Sequence, residues 1–208
     1  MRMKRVYHLL GWGYAACCFG LFVRASRPNA TATSGAFVEG PSASIEEAWF
    51  RRVKPYCNAV EVSVAMQQNP APRGIVGSGF AASCYALAGH IDDARRAIDA
   101  LPEADRYKAA GIVFNVGHPI ADAGDDRAAG PIMELVIDYW PNHYMALYHA
   151  GMAEYMLGQN QLATKSLTDF LRIYQVQDGW RSNANVVLGR LRSGKQVERK
   201  DVERPPEP

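Results

Sequence analysis

The side chains with the most chemical reach are His118, His143 and His149, three imidazoles that fall close together in the chain. Imidazole titrates near neutral pH and ligates metals, so such a set has the right groups to move protons or hold a cation. Either task needs companions in convergent geometry: a paired carboxylate, a nucleophile with its base, or a glycine-rich phosphate loop. None of these signatures accompanies them. The three are therefore read as ordinary histidines, with no catalytic residue, no metal and no cofactor expected. Asp122, Asp125 and Asp126 lack the ligand spacing of a calcium loop, and Asp125 beside Gly124 reads as a helix cap. Cys57 and Cys84 fit no CxxC or Cys/His zinc pattern. Two buried free thiols is the simpler reading of that pair, and a disulfide is the alternative if this part of the chain is exported.

The elements that must position these groups are helical. Tyr144, Leu147, Tyr148, Gly151 and Tyr155 recur at i, i+3, i+4, i+7 and i+11, one face of a helical period. Asn142 is expected to cap this helix after Pro141, and Gly158 to end it. Ala163, Leu167, Phe170, Leu171 and Tyr174 form the apolar face of the next helix, with Thr164, Lys165, Thr168 and Asp169 opposite. So short a join makes the two antiparallel. Further upstream, Ser44 and Glu47 form a capping box that opens a helix carrying Ile45, Ala48, Trp49 and Val53, stopped by Pro55. Val60, Val62 and Val64 alternate as in a strand, but no partner strand is visible, so Tyr56 to Gln68 is read as helix. Downstream, Trp180, Ala184, Val187, Leu188 and Leu191 give a last helix, with Arg181, Arg190 and Arg192 on its polar side.

The helices repeat. Gly89, Gly124 and Gly158 recur at a nearly constant interval, and Ala94, Ala129 and Ala163 follow them at the same interval. Ile98, Met133 and Leu167 come four positions later, and Pro141 closes the second unit. A helix-turn-helix period of about 34 residues, with a small residue where helices touch, resembles the tetratricopeptide repeat family. The motif positions are Ala150, Gly151, Tyr155, Gly158, Ala163, Leu167 and Phe170 in the clearest unit. The unit before supplies Gly117, Gly124, Ala129, Met133, Val136 and Pro141, and the first supplies Ala81, Tyr85, Gly89, Ala94, Ile98 and Leu101. The resemblance covers residues 75–175 well and 43–74 poorly. The family's early Trp is missing from all three units. Pro119 and Pro131 fall inside helices of the middle unit, where proline removes a hydrogen bond, so the helix at Gly117-His118-Pro119 is expected to kink or shorten.

What the resemblance implies is an all-α fold, helix-turn-helix repeats stacked as a short α-solenoid; the apolar run at the start of the chain adds an N-terminal hydrophobic helix ahead of it. By register, the first helix of each unit would line a concave partner-binding face. That face would carry Phe80 and Ser83, then Phe114, Asn115 and His118, then Met145, Tyr148, His149, Met152 and Tyr155. It is aromatic and Met-rich, which suits an apolar partner helix or strand. Members that grip C-terminal carboxylates use Lys, Arg and Asn there, and only Asn115 matches. About half of these side chains are expected to fill hairpin cores instead, as helical stripes usually do.

Charge and the termini supply the setting. Five basic residues and no acidic one fall within the first 32 positions, leaving 18 basic against 21 acidic side chains beyond, net −3. That excludes a basic nucleic-acid footprint. Residues 1–25 read as a signal-anchor or signal peptide: a basic start, then an uncharged apolar run over 6–23. An uncleaved membrane anchor is preferred over a cleaved signal and over a lipid anchor near Cys17. Residues 26–42 form a flexible linker, 43–192 the helical repeat domain, and 193–208 a solvated tail. The repeat domain is thus expected outside the cytoplasm. The resulting expectation is not an enzyme but a membrane-anchored or exported adaptor that binds protein partners, a membrane complex included, and helps assemble or position a complex. The alternative is an enzyme or small-ligand binder that uses the proline-interrupted middle unit, with His118 as acid/base.

Overall fold

The computed structural model describes residues 43–193 of the chain. Among them the fold is all α: α1 (Ile45–Val53), a 3-10 turn (Lys54–Tyr56), α2 (Val62–Gln68), α3 (Ile75–Leu87), α4 (Ile91–Asp99), α5 (Glu103–Asp122), α6 (Asp126–Tyr139), α7 (Tyr144–Met156), α8 (Asn160–Ile173) and α9 (Gly179–Arg192). None of these helices is long and apolar enough to cross a membrane. The expected anchor over 6–23, the linker over 26–42 and the tail beyond Ser193 lie outside the described residues.

Local chemistry sets the helix ends. Ser44 Oγ accepts from the Glu47 N–H while the Glu47 carboxylate accepts from the Ser44 N–H, each at 3.1 Å, the reciprocal box expected at the start of α1. Pro55 sits in the 3-10 turn that follows. The segment expected to be helical from Tyr56 is so only from Val62. Asn58 interrupts it: Oδ1 accepts from the N–H groups of both Val60 and Glu61, an Asx-type turn that competes with helix. Val60 and Val64 are left exposed. The cap of α7 is His143 rather than Asn142, its Nδ1 accepting from the Ala146 N–H at 3.2 Å. An imidazole nitrogen thereby does what the asparagine one position earlier was expected to do.

Three hairpins carry the fold, α3–α4, α5–α6 and α7–α8. The glycines between them, Gly89, Gly124 and Gly158, have φ of 77°, 75° and 78°, a left-handed conformation that glycine adopts without a Cβ penalty. Each turn closes the same way. The glycine N–H donates three residues back, and the next N–H donates five back: His90 to Tyr85, Asp125 to Ile120, Gln159 to Glu154. Ala94, Ala129 and Ala163 then enter the core at 0–1 % exposure, and Ile98, Met133 and Leu167 follow at 0 %. Gly117 and Gly151 let paired helices approach closely. A Cβ at either would lie 2.6 Å from Ile132 Cγ2 or Leu167 Cγ. Beyond the pairs, α3 lies against α5, α6 against α7, and α9 against α8 and α7.

Neither internal proline shortens its helix. α5 runs 20 residues through Pro119 to Asp122, and α6 continues through Pro131. The carbonyls that lose a donor belong to Asn115 and Arg127, both exposed, so water can replace the missing N–H.

Cys57 and Cys84 are joined in a disulfide, with Cα atoms 4.8 Å apart. This corrects the preference for free thiols. Cys57 follows the 3-10 turn and Cys84 lies in α3. The bond sits among Trp49, Phe50, Val53, Val62, Met66 and Ala81, a small core that pins α1 and α2 onto α3. Phe50 stacks on Phe80 at 4.7 Å, and Trp49 Nε1–H donates to the Asn69 carbonyl at 3.1 Å.

Candidate functional site

The ten candidate side chains on the first helices of the units meet two different fates. Tyr148, Met152 and Tyr155 belong to the core that α7 builds with α8 and α9, together with Leu167, Phe170 and Val187. His149 and Ser83 are also buried, the Ser83 hydroxyl donating to the Gly79 carbonyl at 2.8 Å. Every residue from Ala146 to Tyr155 is buried. The reason is positional: α7 touches α5, α6, α8 and α9, so it has no free face along that stretch. Those five side chains are interior in this chain and present no surface to a partner. Phe80, His118 and Met145 are half-buried, Phe114 is nearly covered, and Asn115 is exposed.

Around His118 the chain gathers the groups with chemical potential. α5 carries His118 and Asp122 four residues apart, hence on one face. α7 supplies His149. His118 Nε2 lies 3.0 Å from His149 Nε2, and Asp122 Oδ1 lies 3.4 Å from the first and 3.6 Å from the second. The ensemble is graded in exposure, with the side chains 31 % exposed for His118, 48 % for Asp122 and 0 % for His149. These three form a cluster able to ligate a metal ion.

Aromatic rings hold the imidazoles in place. Phe114 stacks on His118 with centroids 4.8 Å apart and also packs on His143 at 4.1 Å. Tyr148 and Trp180 meet the His149 ring edge-on at 5.4 and 5.9 Å. Burial, reinforced by the neighbouring His118, pushes the His149 pKa down to about 4, with Asp122 opposing. His149 is therefore neutral at physiological pH. Burial lowers His143 as well, which keeps Nδ1 free to accept at the start of α7. The Nδ1 atom of His149 is buried without a hydrogen-bond partner.

Two charged side chains of note lie away from this cluster. Asp125 caps α6 as expected, its Oδ1 accepting from the Ala128 N–H at 3.2 Å. Nothing in the local sequence singles out Glu154, yet it is only 3 % exposed. Its Oε2 has no partner. Burial raises its pKa, with a Ser166 hydrogen bond opposing.

The reading of the sequence left His118 without companions, although Asp122 stands four residues on and the repeat held a second signal. One full repeat after His118 stands Met152, and His149 lies one helical turn before it. α5 and α7 meet at His118 and His149. No protein-family model, no curated protein and no solved structure matches the chain.

Proposed function

We propose that this chain is an extracytoplasmic adaptor of the tetratricopeptide-repeat type, anchored or exported through residues 6–23 and stacked as a short α-solenoid that holds a protein partner. It would help assemble or position a complex, without an enzymatic reaction of its own. The observation that carries this reading is the threefold recurrence of one hairpin closure: glycine φ of 77°, 75° and 78° at Gly89, Gly124 and Gly158, with the same pair of backbone bonds each time. A helical array built by repetition presents extended surface, and binding is what such arrays commonly do. The Cys57–Cys84 bond supports a site outside the cytoplasm, because disulfides persist in oxidising compartments.

The partner surface under this reading narrows to the accessible members of the candidate set: Phe80, Asn115, His118 and Met145. A photo-crosslinking residue placed at Asn115 or Met145 in the full chain should trap one and the same protein in cells. The same residue at Val186, exposed on α9, should not. Equal labelling from all three positions, or none from the first two, overturns the surface assignment.

A second reading, a small-ligand site in the middle unit, draws on one specific observation: His118, Asp122 and His149 converge from two helices. Under it, Asp122→Asn, outside that partner surface, would abolish a ligand response and leave partner crosslinking intact.

A further inference from the structure

Hydrogen atoms alone leave the His118–Asp122–His149 triangle frustrated. A neutral imidazole carries one N–H. If both Nε2 atoms are protonated, the 3.0 Å contact sets two N–H groups against each other. If only His149 Nε2 is protonated, the His118 lone pair faces the Asp122 carboxylate at 3.4 Å. If only His118 Nε2 is protonated, the His149 lone pair faces the same oxygen at 3.6 Å. Each arrangement leaves one edge repulsive. A single cation satisfies all three lone pairs at once.

We propose that His118 Nε2, His149 Nε2 and Asp122 Oδ1 bind one zinc-class divalent ion, tetrahedrally, with the fourth position open to water. The triangle's size selects this ion. A circle through atoms separated by 3.0, 3.4 and 3.6 Å has a radius of about 1.9 Å, just inside zinc's bond lengths to nitrogen and oxygen of about 2.0–2.1 Å. Tetrahedral bonds of that length set ligands about 3.3 Å apart, the mean edge of this triangle. An octahedral face with the same edges needs bonds of about 2.4 Å, a calcium length, and calcium takes oxygen ligands rather than two imidazoles. The site is reachable, since His118 and Asp122 are partly exposed, while the buried His149 and its aromatic neighbours fix one wall. Three protein ligands and one open position is the pattern of exchangeable or catalytic zinc rather than closed structural zinc.

One feature limits affinity. On ligation through Nε2, His149 carries its proton on Nδ1, which has no acceptor. Outer-shell partners at that atom are worth about 10–100-fold in metal affinity, so this ion is held more loosely than in a fully supported site and yields to a chelator. Ion binding here does not depend on whether the repeats hold a protein.

The test is equilibrium dialysis of the chelator-stripped, unreduced full chain against zinc(II), with cobalt(II) absorption as the geometric readout. The expected result is one ion per chain and an intense, four-coordinate cobalt spectrum. His118→Ala and Asp122→Asn should each weaken binding by about tenfold or more. Both residues reach the surface, so the stripped variants should unfold at the temperature of the parent. His149→Gln serves as a third ligand variant whose folding is checked by helicity. Absence of binding, a weak six-coordinate cobalt spectrum, or binding that survives both surface substitutions (as zinc held at Cys17 and Cys18 would) overturns the proposal.

Discussion

Cleaving the Cys57–Cys84 bond should loosen one end of the molecule, and the size of the effect follows from loop length. The linked residues are 27 apart in sequence. Closing a loop of that length removes unfolded-state entropy worth about 3.5 kcal/mol at 25 °C in the chain-entropy treatment. For a domain of this size each kcal/mol moves the midpoint by about 2–4 °C, so reduction should lower Tm by about 7–14 °C. Paired thermal melts with and without reductant measure this, and Cys57→Ala/Cys84→Ala provides the covalent control. The double variant should fall somewhat further, because both sulfurs are buried beside Val53 and Val62 and their removal leaves space unfilled. The loss should be spatially biased. α1 and α2 pack chiefly on α3, so limited proteolysis of the reduced protein should cut first between Asn58 and Arg73. Two free thiols on titration of the unreduced, denatured chain at these positions, or melts indifferent to reductant, would refute the reasoning.

Glycine substitutions should separate packing from propensity. Gly117→Ala and Gly151→Ala each press a Cβ to 2.6 Å from a neighbouring side chain and should cost about 1–3 kcal/mol in urea denaturation. Gly189→Ala, with nothing within 4 Å in α9, should instead stabilise by about 0.5–1 kcal/mol. Glu154→Gln should stabilise the protein at neutral pH by about 1 kcal/mol, since it removes a buried, half-unpaired carboxylate. The sign follows from burial raising the folded pKa above the unfolded one. The native state then holds its proton longer, and stability is lost as pH rises from the ordinary carboxylate range through the raised value. The advantage of the Gln variant should therefore be largest at neutral pH and shrink towards pH 4.5, which unfolding curves at the two pH values will show.

Features that depend on one residue type were legible in the sequence. Gly89, Gly124 and Gly158 could be identified because few other residues take a positive φ cheaply, and their spacing set the hairpins before any packing was known. Ser44–Glu47 and Asp125 announced their caps for a similar reason, since a short acceptor side chain beside a helical pattern has little else to do. The differences arise where near-equal neighbours compete or where distant packing decides. Asn142 and His143 both carry an acceptor able to cap α7, and only the tertiary setting selects the second. An i, i+3, i+4 stripe identifies a buried face but not how many others are buried too. Hence Tyr148 and Tyr155 read as groove residues in sequence, although their helix is closed on all sides. The pairing of His118 with Asp122 was present in the i, i+4 spacing, but their meeting with His149 depends on how α5 is set against α7. That is tertiary geometry no local pattern carries.

The enclosure of α7 bears on how the protein comes apart. Ala146 and Ala150 pack into the core shared with α3, α4, α5 and α6, whereas Leu147, Tyr148, Met152 and Tyr155 pack into the one shared with α8 and α9. Linear arrays of repeats can fray from an end, each unit leaving by releasing only its nearest neighbour. Here one helix is a wall common to two cores, so melting the C-terminal hairpin also strips the inner one of its cover. α7 works as a keystone: its release would uncover both cores at once.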